Sequence, residues 1–130
     1  MKDVNNAGTS IANSYDDSVA YAKTLGCVVK LPKGDEVFVD IDSGAAFDEY
    51  RTRLLWYRTQ CAITEVSVTP SKSGFPHVHI VLRAPHTLTD MEHIAIAALL
   101  GSCPNAVLCS LRNAQHFDIS PVRFFEKEGV

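Results

Sequence analysis

The stretch SKSGFPHVHIVLR, residues 71–83, decides how the rest of the chain is read. From His77 to Arg83 it is a short apolar run broken only by the two histidines and the closing arginine, and Gly74, Pro76 and Pro85 punctuate its two ends. Side chains of a strand point to opposite faces in turn, so Val78, Ile80 and Leu82 share one face while His77 and His79 share the other. A strand over 77–83 is therefore expected.

Working outward, EVFVDID (36–42) alternates and is rich in β-branched residues. Val37, Val39 and Ile41 face one way; Glu36, Phe38, Asp40 and Asp42 face the other. AITEVSVT (62–69), stopped by Pro70, reads as a further strand. Between these two, Ser43 can cap a helix whose apolar stripe is Phe47, Tyr50, Leu54 and Tyr57, at helical spacing. After the His-containing strand, Thr87 to Leu100 reads as a second helix. A Thr87-x-x-Asp90 capping box opens it and Gly101 closes it. Its apolar residues run nearly all round, so it is expected to be well buried. AVLCSL (106–111) and SPVRFF (120–125) are the candidates for the remaining strand.

Upstream, SYDDSVAYAKTL (14–25) predicts a short helix with Gly26 as its C-cap, and the polar residues 1–12 are expected to fray. The order β-α-β-β-α-β predicts an α+β fold, ferredoxin-like or RNA-recognition-motif-like (RRM-like), with both helices on one face of an antiparallel sheet. In that plan the first and third strands are neighbours in the middle of the sheet. Val39 and Ile41 then pack under the helices with Val78, Ile80 and Leu82. Asp40, Asp42, His77 and His79 converge on the opposite, open face.

The totals fit this reading. A chain of 130 residues, 46% hydrophobic, is enough for one domain over 1–130 and too short for two cores. The longest apolar run, IAIAALL at 94–100, is too short to span a bilayer, and no signal peptide opens the chain. The four cysteines form no CxxC pair, which favours reduced thiols in a cytoplasmic protein with no membrane partner. A net charge of −3 supplies no general attraction for nucleic acid. A polyanion would have to be held by a local patch or through metal ions.

Two carboxylates two apart on a strand suit Mg²⁺ or Mn²⁺, which take oxygen ligands and promote phosphoryl transfer. A histidine on the adjacent strand can donate to a phosphate. The turn PSKSG adds backbone N–H groups, two hydroxyls and the Lys72 ammonium. Asp-x-Asp or His-x-His alone is more often a solvated strand face than a functional pair. Their convergence on neighbouring strands is harder to dismiss, because apolar fill is cheaper there. Trp56, His93, Cys103 and Cys109 read as structural residues, with the two thiols buried.

These motifs resemble the archaeo-eukaryotic primase superfamily, the primase-polymerases of phages, plasmids and archaea. The likeness runs from about Lys30 to Phe125. It rests on VFVDID as the hydrophobic-Asp-x-Asp motif and on TPSKSGFPHVHIVL as the hairpin histidine motif, with HFDI around Asp118 as a weaker third motif. LLGSCPNAVLCSLRN (99–113) is also similar to the segment that follows the second motif in small viral members. The resemblance implies that Asp40, Asp42 and Asp118 bind the catalytic Mg²⁺ or Mn²⁺. It implies that His77, with Ser71, Lys72, Ser73, Gly74, His79 and Arg112, contacts a nucleoside triphosphate. The implied reaction is template-directed nucleotidyl transfer on single-stranded DNA, alongside replication proteins such as a helicase. The sequence departs from the family at Gly74-Phe75-Pro76, where the usual turn is Gly-x-Gly.

Two other readings compete. PHVHIVL also matches the His-hydrophobic-His strand of HUH-type nickases, where His77 and His79 would bind one metal. In initiators of that kind the nucleophilic Tyr follows the His motif, whereas Tyr15, Tyr21, Tyr50 and Tyr57 all precede it. Only a relaxase-like order, with Tyr15 or Tyr21 attacking, suits that reading. A non-catalytic RRM-like module would need exposed aromatics for base stacking, and the open face offers only Phe38.

Overall fold

A computed structural model describes residues 15–71, 74–116 and 124–127. Asp118, Lys72, Ser73 and the first part of the 120–125 strand candidate lie outside the described residues, as does the N-terminal segment before Tyr15. The elements in chain order are α1 (Tyr15–Thr24), β1 (Cys27–Lys30), β2 (Glu36–Ile41), α2 (Gly44–Arg58), β3 (Thr64–Pro70), β4 (Val78–Arg83), α3 (Asp90–Leu99), α4 (Pro104–His116) and β5 (Phe124–Lys127).

The fold is α+β, as the alternation predicts. β2, β4 and β3 form an antiparallel sheet in the order β2-β4-β3, so the His-containing strand is central. Val37, Val39 and Ile41 of β2 share a core with Val78, Ile80 and Leu82 of β4. Tyr50 and Leu54 of α2, Ala97 of α3 and Leu100 close it from above. The α2 stripe falls where the spacing puts it: Tyr50 is fully buried, and Phe47 and Tyr57 line the edge of the core. Ser43 caps α2, its Oγ accepting from Ala46 N at 3.0 Å. Gly26 and Gly101 follow α1 and α3 with φ of +68° and +91°, the left-handed conformation in which glycine ends a helix without a Cβ clash.

Several expectations are corrected. Residues 106–111 are not a strand but the middle of α4. Pro104 occupies its first position, and Val107, Leu111 and Ala114 form an i, i+4, i+7 stripe. β5 overlaps the other strand candidate but pairs with β1 in a separate two-stranded ribbon, Cys27 opposite Lys127 and Lys30 opposite Phe124. Among the described residues the main sheet therefore has three strands, with β2 at its edge rather than in the middle. The helix meant to carry a Thr87–Asp90 capping box starts two residues later, and Thr89 and Glu92 make the reciprocal bonds. Leu88 stays extended because its side chain is buried and its N–H donates to Gly34 O at 2.8 Å. α3 is not buried all round either: His93, Ile94 and Ala97 face inward, but Met91 and Leu99 are exposed.

Thr89→Ala removes the hydroxyl that accepts from Glu92 N. It is expected to cost about 1 kcal/mol of stability in urea denaturation, the usual cost of a lost N-cap.

Candidate functional site

β2 and β4 run antiparallel with Asp40 opposite His79 and Ile41 opposite Val78. Asp42 follows the last paired residue of β2, and His77 precedes the first of β4. The register thus brings Asp42 and His77 to the same end of the sheet, beside the 71–77 turn. Of the four residues singled out by alternation, Asp40 and His79 meet across the strand pair, with Nε2 3.8 Å from Oδ1, while Asp42 and His77 share that end of the sheet by register.

The face opposite the α2 core is not open. α4 lies over it, and Val107, Leu111 and Ala114 pack against Phe38, Val81, Ile94 and Phe124 in a second apolar cluster. His79 is only 6% exposed, stacked on the Phe124 ring, with its Nε2 3.8 Å from Asp40 Oδ1. The Asp40 side chain is 35% exposed, Asp42 is exposed and His77 is half-buried. The reachable part of the constellation is its edge: Asp40, Asp42 and His77. His79 lies behind them.

Ser102 and Cys103, in the α3–α4 connection, hold the outer edge of β2. Asp40 N donates to Ser102 Oγ at 3.0 Å, and Cys103 N donates to Asp40 O at 2.7 Å. These two bonds satisfy the outward N–H and C=O of Asp40, which a fourth strand could otherwise pair, and they fix the backbone under its carboxylate. The sequence points to Cys103 only as a structural thiol and not to Ser102, although Ser-Cys-Pro ahead of an apolar helical stripe is an N-terminal signature. Ser102→Ala would leave a part-buried N–H at Asp40 without its acceptor. A loss of about 1–3 kcal/mol is expected by chemical denaturation, larger than for an exposed serine.

The Cys103 thiol sits between the first turn of α4 and Asp42 and is half-buried rather than buried. Burial raises its pKa most; the Ala106 and Asn105 N–H groups oppose this, and a hydrogen bond to the Asp42 carboxylate adds to the rise. The thiolate therefore forms only above the usual thiol range. Alkylation of Cys103 by iodoacetamide is expected to be slow at pH 8 and faster in an Asp42→Asn variant, read by mass spectrometry of the modified peptide.

The turn before β4 is closed on itself. Ser71 N donates to His77 O at 2.8 Å, Gly74 N to Ser71 O at 2.9 Å and His77 N to Gly74 O at 2.9 Å. Gly74 takes φ +80° and the Phe75–Pro76 bond is cis. The amides expected to face a phosphate are thus engaged within the turn at Ser71, Gly74 and His77. Arg112 is exposed on α4.

Among the described residues, no three His, Cys, Asp or Glu side chains converge as a ready-made metal cage. Two carboxylates at a strand end still suit Mg²⁺. It is commonly held by one or two carboxylates and completes its shell with water and substrate phosphates. Among the described residues no helix is long and apolar enough to cross a membrane. Comparison of the chain with protein-family models, with curated proteins and with solved structures gives no match.

Proposed function

We propose that the chain is a metal-dependent nucleotidyltransferase of the primase-polymerase kind, acting at the edge formed by Asp40, Asp42 and His77. The observation that carries this reading is the β2–β4 register. It brings the solvent-accessible Asp40–Asp42 strand end and the histidine-containing turn to the same end of the sheet, which supports this reading. Asp40 and Asp42 would hold Mg²⁺ or Mn²⁺, which neutralises charge on the triphosphate and assists departure of pyrophosphate. His77, at the mouth of the turn, would donate to a phosphate oxygen, with Lys72 and Ser73 beside it in sequence. By the family resemblance, Asp118 would be the third metal carboxylate and Arg112 a further phosphate contact. The reaction joins a 3′-hydroxyl of a primer, or of a first nucleotide, to the α-phosphate of a nucleoside triphosphate opposite a single-stranded DNA template. A helicase or another replication protein would present that template.

A nickase reading asks His77 and His79 to share one metal. The burial of His79 against Phe124 and Asp40 does not favour this, since only His77 stands at the reachable edge.

The test uses Mn²⁺ as a paramagnetic probe with ATP present. Amide signals of Asp40, Asp42 and His77 are expected to broaden first, at substoichiometric metal. Broadening centred elsewhere, with these three unaffected, would remove the assignment.

A further inference from the structure

Three rings stand in parallel on the face below α4. Phe124 of β5 lies 4.2 Å from Phe38 and 3.8 Å from His79, centroid to centroid, with interplanar angles of 5° and 4°. Two rings on the same side of Phe124 at those distances would overlap, so Phe124 is sandwiched between them. Phe38 and His79 are thus the walls of a slot one planar ring thick. The main sheet fixes both walls, because Phe38 and His79 belong to paired strands.

The ring that fills the slot belongs to a different sheet. Phe124 comes from the β1–β5 ribbon, four residues on each strand, and among the described residues this ribbon has no hydrogen-bonded ladder to β2, β4 or β3. A two-stranded ribbon so short has little stability of its own. Phe124 stacks on both walls as a planar ring of that size can, at centroid separations a little shorter than the usual range of about 4.5–7 Å for aromatic pairs. Heteroaromatic bases have π faces that stack on aromatic side chains whatever their identity. The slot also adjoins the proposed metal carboxylate, since its His79 wall is 3.8 Å from Asp40.

We propose that the Phe38–His79 slot is a stacking site for the base of a nucleotide, closed by Phe124 until a base displaces it. The inference rests on the preceding reading for why a nucleotide reaches this face; stacking itself needs neither the aspartates nor metal. Displacement would move Phe124 and its ribbon out of the slot while Val107, Leu111 and Ala114 of α4 stay packed over the rest of the cluster.

Adenosine, which carries no phosphate, is the probe. In Phe124→Ala it is expected to bind at least about tenfold more tightly than in wild type, a gain of the size one base–aromatic stack gives. Amide shifts should centre on Phe38 and His79, and Phe38→Leu in the same chain should erase the gain. Equal affinity in wild type and Phe124→Ala, or a gain that survives Phe38→Leu, would overturn the proposal. Should Phe124→Ala fail to fold, Phe124→Leu keeps the bulk without the plane. A severalfold gain is then expected, and an unchanged affinity overturns the slot. The two readings fail separately. An adenosine gain without Asp40- and Asp42-dependent binding of Mn²⁺–ATP supports the slot and removes the metal site. Asp-dependent ATP binding without the adenosine gain does the reverse.

Discussion

Asp40→Asn together with Asp42→Asn is expected to abolish metal-dependent nucleotide transfer, by about a thousandfold or more, while the protein stays folded. The size follows from the chemistry. In phosphoryl transfer most of the barrier is lowered by fixed positive charge near the developing negative charge, and losing one such contributor typically costs about 10²–10³-fold. Without both carboxylates the site has no anionic anchor for the cations. The fold is expected to tolerate the change because both side chains are solvent-accessible, and asparagine keeps their shape. The bonds that tie β2 to Ser102 and Cys103 use the main chain of Asp40. Thermal unfolding should thus shift by only a few degrees, while label incorporation falls to background. Unaltered incorporation would move the chemistry to another place on the molecule.

Tyr50→Ala is expected to be the most destabilising of the substitutions considered, by about 3–5 kcal/mol, because it empties a fully buried aromatic site between α2 and the sheet. Its hydroxyl also donates to Glu65 Oε1 at 2.6 Å, linking α2 to edge strand β3. Tyr50→Phe keeps the ring and loses that bond, so about 1 kcal/mol is expected, since Glu65 is exposed and can turn to water. Burial first, then the Glu65 hydrogen bond and charge, raise the phenol well above its ordinary value of about 10. A raised pKa means that the fold holds the protonated form. This contribution is complete below pH 10 and is lost progressively as the pH climbs toward the folded-state value. The phenylalanine variant should lack that alkaline decline. Urea titrations at pH 7 and pH 11 test both statements; equal losses for Ala and Phe would contradict the packing account.

The faces of the sheet were legible because alternation is a local rule. Val37, Val39, Ile41, Val78, Ile80 and Leu82 lie where period two puts them. Ser43 and Gly101 were legible for the same reason, as caps act within one turn. What escaped was the cover of the second face. AVLCSL is short and apolar enough to suit a strand, and only Pro104 before it and the longer stripe through Ala114 mark α4 as a helix. The fate of β5 depends on which edge is free, and that edge was taken by Ser102 and Cys103, far from β2 in sequence. The accessible site shrank accordingly, from four residues on an open sheet to Asp40, Asp42 and His77 at its rim. His79 lies behind that rim, buried and stacked on Phe124.

The most direct measurement is primer extension. The chain is incubated with a primed single-stranded DNA template, Mn²⁺ and labelled nucleoside triphosphates, and the products are resolved on a denaturing gel. Template-directed addition of nucleotides to the primer, with release of pyrophosphate, is the result expected. A covalent adduct between DNA and Tyr15 or Tyr21, with no extension, would contradict it and give the site to strand nicking instead.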